Sequence, residues 1–169
     1  MHAKRILVPV NLRSGDGDAL RFIENLSRDV PVHATLLHVV NLNIFRLEPR
    51  VLDELRHENE HRLRAVAKLF FEDSRLPRLR VRLGKPHEEI LAEAEEEHAE
   101  LIVMASPRAS RQRWRLSPAT VERVVRNAPC PTLVLPRVWR IAPQQYREAM
   151  RQKNAEADIV SAADCPPVF

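Results

Sequence analysis

The feature that most restricts how this chain folds is an alternation between two hydrophobic periods. Short apolar runs at 6–10 (ILVPV), 32–40 (VHATLLHVV), 101–104 (LIVM) and 132–135 (TLVL) have strand length and β-branched content, and 78–83 (RLRVRL) alternates strictly. Between them lie stretches with helical spacing: Ala19, Leu20, Ile23 and Leu26 over 16–28, then Leu52, Leu55, Leu63, Val66 and Phe70 over 49–71. Ile90, Leu91 and Ala94 mark a third helix that Pro86 opens, and Val121, Val124 and Val125 a fourth. Five strands alternating with four helices predict an α/β fold built on a doubly wound, five-stranded parallel sheet, because each right-handed return between parallel strands needs a helix. Ligands of such sheets sit at the carboxyl ends of the strands, near a reversal of strand order.

Local chemistry sharpens this outline. Ser117 followed by Pro118 is a good N-cap and first-turn pair for the fourth helix. The run 101–104 suits a central strand, whereas RLRVRL suits an edge strand with one face on the core and one in water. Glu93, Glu95, Glu96 and Glu97 read as the solvated side of the third helix. Pro9 carries no N–H, so its strand should bulge there or need no donor. SGDGD at 14–18 reads as a turn and helix cap; its order differs from the Ser-Gly-Gly-x-Asp-Ser loop of ATP pyrophosphatases.

At 169 residues the chain is one domain plus an appendage, with the boundary expected between 1–137 and 138–169. A short helix at 144–155, with Tyr146 and Met150 on one side, and an extended end containing Pro166 and Pro167 are expected in the appendage. No apolar run approaches the roughly 20 residues a membrane helix needs. The basic start MHAKR precedes an apolar stretch too short for a signal peptide, so a cytoplasmic location is expected and no membrane partner. Cys130 and Cys165 are too few for a disulfide framework or a cysteine zinc site, and Cys130 reads as a small core residue. The excess of 27 basic over 23 acidic residues is modest, and no nucleic-acid partner is expected from it.

Two motifs carry possible chemistry. His57-Glu58-Asn59-Glu60-His61 spells the metalloprotease signature His-Glu-x-x-His, in which two histidines one turn apart hold zinc and the glutamate is the base. At about 100° per residue, however, both histidines fall opposite the apolar stripe, on the wet face, with no third ligand or cleft indicated. No catalytic or metal-ligating residue is therefore assigned, although a surface metal site remains open. Arg108, Arg111, Arg113 and Arg115 surround Trp114 in a polar loop, which reads either as a solvated loop or as an anion or nucleic-acid site with guanidinium groups as donors.

Four blocks in order resemble the universal stress protein family over about residues 4–136: ILVPVN at 6–11, TLLHVV at 35–40, LIVM at 101–104 and VERVVRNAPCP at 121–131. The resemblance implies strand order 3-2-1-4-5, frequent dimerisation through the last strand (132–135), and a stress-response binding protein rather than an enzyme. It also implies where a nucleotide pocket would lie: Pro9, Val10, Asn11, Val39, Met104, Ala105, Arg108, Arg111, Ala119 and Thr120. Nucleotide-binding members carry Asp after the first strand, then Gly-x-x-Gly, nine residues, and Gly-Ser or Gly-Thr. Here those places hold Asn11, Ala105, Arg108, Pro118 and Ala119. Glycines allow positive φ and close approach to phosphates, and Pro107 and Pro118 remove two backbone donors. A domain without ATP or another cofactor is expected. The alternative is a nucleotide- or anion-binding module that uses the arginine loop.

Overall fold

A computed structural model of the chain describes residues 3–12, 17–42, 48–105 and 117–135. Its strands are β1 (Lys4–Pro9), β2 (Val32–Val40), β3 (Arg78–Leu83), β4 (Leu101–Ala105) and β5 (Thr132–Leu135). The helices are α1 (Gly17–Asp29), α2 (Pro49–Ala67), α3 (Pro86–Glu96) and α4 (Pro118–Asn127), with a 3-10 turn at Asp73–Arg75. All five strands are parallel, in the order β3-β2-β1-β4-β5. The predicted doubly wound sheet is therefore present, with its reversal between β1 and β4.

Period-2 alternation along the strands divides the core into two layers. Ile6, Val8 and Val10 face Leu20, Ile23, Leu63 and Val66 of α1 and α2. Leu7 belongs to the opposite cluster, with Ile90 and Ala94 of α3, Val121 and Val124 of α4, and Met104. Each fully buried Leu or Ile stabilises the fold by roughly 1.5–3 kcal/mol, so β1 and β4, apolar on both faces, anchor both layers. Among the described residues, no helix is long and apolar enough to cross a membrane.

Pro9 lies in unbroken register with Leu37, so no bulge forms. The Val10 N–H donates to Leu37 O at 2.7 Å, and successive residues of a parallel strand turn their amides to opposite sides. The nitrogen of Pro9 thus faces β4, whose pairing with β1 is recorded at Ile6–Leu101 and Leu7–Ile102, short of Pro9. Proline occupies a place in a central strand where the ladder needs no donor.

One sequence reading is corrected. Glu93 is not solvated; it is fully buried. It accepts hydrogen bonds from Arg80 Nε at 3.0 Å and Arg82 Nη1 at 2.7 Å. The arginine face of β3 is accordingly roofed by α3 rather than open to water. Strand residues two apart recur about every 6.7 Å and helix residues four apart about every 6 Å, so Arg78, Arg80 and Arg82 match Glu97, Glu93 and Glu89 rung by rung. The helix ends in a Schellman motif, with the His98 N–H to Glu95 O and the Ala99 N–H to Ala94 O. His98 itself takes the left-handed conformation at φ 48°.

Candidate functional site

The carboxyl edge of the sheet at the β1/β4 reversal brings together most of the residues singled out in the sequence. Pro9 ends β1 and Val10 follows it, both buried, ahead of half-buried Asn11. Val39 lies near the end of β2 and packs with the second core cluster. Met104 and Ala105 end β4, both buried. Helix α4 starts at this edge, because it follows β4 and must return the chain to the start of β5. Buried Val121, in the cluster of Met104, holds its first turn against the sheet.

That first turn decides what the site can hold. A helix N-terminus binds anions through amides that lack intrahelical partners. At N1, Pro118 has no N–H. At N3, the Thr120 N–H is taken by Ser117, whose Oγ accepts at 3.1 Å and whose carbonyl accepts at 2.8 Å. The Thr120 hydroxyl is buried and lies 3.1 Å from the same Oγ. Of the three helical positions N1 to N3, the exposed N2 residue, Ala119, is the one whose amide is not engaged among the described residues. Ser117 and Pro118 therefore behave as the cap pair their sequence predicts, Pro118 supplying no donor at N1 and Ser117 engaging the N3 amide within the turn.

Ala105 acts differently from a simple obstruction. Its methyl group lies in the first core cluster, and its φ is not positive. What it removes is the freedom that glycine would give the chain leaving β4. Arg108 and Arg111, with the rest of the arginine loop at 106–116, lie outside the described residues, as do the turn at 14–16 and the appendage.

The sequence reading omitted His38 from the site. Its Nδ1 is 2.8 Å from Val10 O, so the ring donates to the carbonyl that closes β1 and fixes where the chain turns away from the sheet. That partner is set by strand register, which no spacing along the sequence reveals. At the opposite, amino-terminal edge a cleft of about 690 Å³ opens among Arg5, His33, Thr35, Phe71 and Arg78. It shares no residue with the carboxyl-edge site.

His57 and His61 are exposed on α2, as their phase predicts. Among the described residues, no group of three or more His, Cys, Asp or Glu side chains is placed to share an ion.

Comparison with known proteins agrees with this geometry. The family model described as the universal stress protein family matches residues 2–136. A universal stress protein of Methanocaldococcus jannaschii is 26% identical over 138 residues, covering 78% of this chain and 81% of its own. Among solved structures, the hypothetical protein MJ0577 is 25% identical with a TM-score of 0.64, over 80% of this chain and 96% of that one. The universal stress protein from Archaeoglobus fulgidus in complex with dAMP, 19% identical with a TM-score of 0.51, shares the fold over 79% of this chain and 98% of its own. With the family match spanning all five strands, the chain belongs to the universal stress protein family.

Proposed function

We propose that this protein is a non-enzymatic stress-response or regulatory member of its family that works in the cytoplasm as a homodimer and does not hold ATP. Residues 1–137 form its working domain and 138–169 an extension of that domain. The observation that carries this reading is the first turn of α4, where Pro118 supplies no donor and Ser117 consumes the amide of Thr120. A triphosphate needs several aligned donors, and each missing charge-assisted hydrogen bond weakens binding by about 1.5–3 kcal/mol. Two or three such losses move a micromolar site to roughly millimolar. The residues at this edge do not fit ATP.

The alternative is an anion or nucleotide module, supported by the dAMP complex of the Archaeoglobus fulgidus relative and by the four arginines between 108 and 115. Guanidinium groups would then replace backbone donors, and binding would be steeply salt-dependent and indifferent to the base. Calorimetry with ATP, AMP and pyrophosphate at low and high salt separates the readings. No binding at micromolar concentration supports the first. Weak, salt-sensitive binding lost in Arg108→Ala and Arg111→Ala supports the second, and tight, adenine-selective, salt-resistant binding overturns both.

A further inference from the structure

Helix α2 carries an arrangement that neither reading uses. His57 and His61 lie one turn apart on its exposed face, with Nε2 atoms 3.2 Å apart and ring centroids 4.7 Å apart. One ring donates to the other, so the two nitrogens that converge are a proton donor and a lone pair separated by hydrogen-bond distance. We propose that this pair is a two-histidine chelate for a late first-row divalent ion such as Cu²⁺, Ni²⁺ or Zn²⁺.

Distance, chemistry and surroundings all support the assignment. With metal–nitrogen bonds of about 2.0–2.1 Å, a 3.2 Å separation subtends an angle of about 100° at the ion, between octahedral and tetrahedral values. Moving the shared proton to the far ring nitrogen leaves both Nε2 lone pairs available, and imidazole suits these ions. The helix fixes the spacing in advance, so the second imidazole binds as an intramolecular ligand at high effective concentration.

The same surroundings do not favour the zinc-hydrolase reading of the signature. Glu58, the base position of the signature, is in an ion pair with Arg62. No third side-chain ligand stands within reach among the described residues, so water or a partner's ligand completes the coordination. The proposed site is an open chelate on a surface helix.

The full-length protein should be titrated with Cu²⁺ and with Zn²⁺ by calorimetry, with electron paramagnetic resonance on the copper form. The wild type should bind one ion per chain at this pair, with two nitrogens coupled to copper, and affinity should fall at least tenfold in His57→Gln and in His61→Gln. A double variant, His61→Arg with Arg62→His, keeps the histidine count and net charge but moves the second ring round the helix, and should lose the same affinity. Ions held by the other histidines appear equally in every variant and subtract out. Zn²⁺ should also raise the thermal midpoint of the wild type more than that of any variant, since binding to the folded helix adds to stability by mass action. Equal stoichiometry, affinity and thermal response in the wild type and the His57→Gln/His61→Gln double variant would overturn the proposal.

Discussion

Arg82 of β3 donates through Nη1 to Glu93 of α3 at 2.7 Å, and the carboxylate that receives it has no exposure to solvent. Arg82 also reaches Glu89 at 2.7 Å through Nε and Glu96 at 3.0 Å through Nη2, so one guanidinium ties three positions of α3 to the edge strand. Hydrogen bonding to Glu96 is the largest influence raising the Arg82 pKa above its ordinary value, with burial opposing it, and the same contact lowers that of Glu96. The network covers one face of an edge strand, and its charges discourage pairing with a foreign strand.

Glu93→Ala should destabilise the domain by about 2–3 kcal/mol, somewhat below the usual figure for breaking a buried pair, because Arg80 and Arg82 keep partial access to water. Glu96→Ala, at the exposed end of the network, should cost much less, because water screens its contact with Arg82. Urea unfolding of both variants checks the order. Equal losses would show that burial of Glu93 does not set its worth.

At the amino-terminal edge, Glu100 joins the two central strands. Its Oε2 accepts the Arg5 N–H at 3.1 Å, its own N–H donates to Arg5 O at 2.8 Å, and its Oε1 pairs with Lys4 at 2.9 Å. The Lys4 hydrogen bond, followed by that of the Arg5 amide, lowers its pKa from 4.5 to about 2. A carboxyl whose folded pKa is depressed adds stability above its unfolded pKa and loses it as the pH falls toward its folded one. Stability should therefore decline from about pH 4.5 to pH 2 more steeply in the wild type than in Glu100→Gln, and the two should converge at the acid end. Denaturation at several pH values tests this, and parallel curves would assign acid sensitivity to other groups.

Gly84, between β3 and α3, has φ +150°, and a Cβ there would lie 2.7 Å from Glu89 Oε1. Two separate penalties fall on Gly84→Ala: a backbone region of roughly 1–3 kcal/mol strain for an L residue, and a clash with a flexible side-chain end. Adding Glu89→Ala removes only the clash. Gly84→Ala should thus remain destabilised in the Glu89→Ala background by at least about 1 kcal/mol. Complete recovery in the double variant would assign the whole cost to contact with Glu89.

The fold was legible because each strand run is short, apolar and punctuated, and each helix carries a stripe that must be buried. Ser117 and Pro118 were equally legible, since a cap acts within four residues of itself. Glu93 was not, because a run of glutamates on a helix looks solvated unless its four-residue repeat is set beside the two-residue repeat of Arg78, Arg80 and Arg82. The pairing of His38 with Val10 O depends on the register of β2 against β1, which spacing alone does not encode. The positions of the candidate pocket came from family resemblance, and the structure adds which amides there are already engaged.

The last prediction concerns the outer edge of β5. The Ile102 N–H donates to Pro131 O, so odd-numbered residues of β5 turn their amides toward β4 and even-numbered ones turn them outward. The outward groups of Thr132 and Val134 are what a symmetry-related β5 would pair with in the proposed dimer. Both faces of the strand are otherwise occupied, Leu133 and Leu135 against one core cluster and Val134 against the other. Lysine at Val134 would therefore disturb folding as well as pairing, whereas Val134→Pro deletes an outward donor and leaves the amides that bond to β4 in place. Val134→Thr serves as the control, because it perturbs side-chain packing but keeps the amide. By light scattering, Val134→Pro should be monomeric and Val134→Thr dimeric. A dimeric Val134→Pro places the contact elsewhere, with residues 139–150 next to be tested, and a monomeric Val134→Thr would show that side-chain packing rather than strand pairing holds the two copies together.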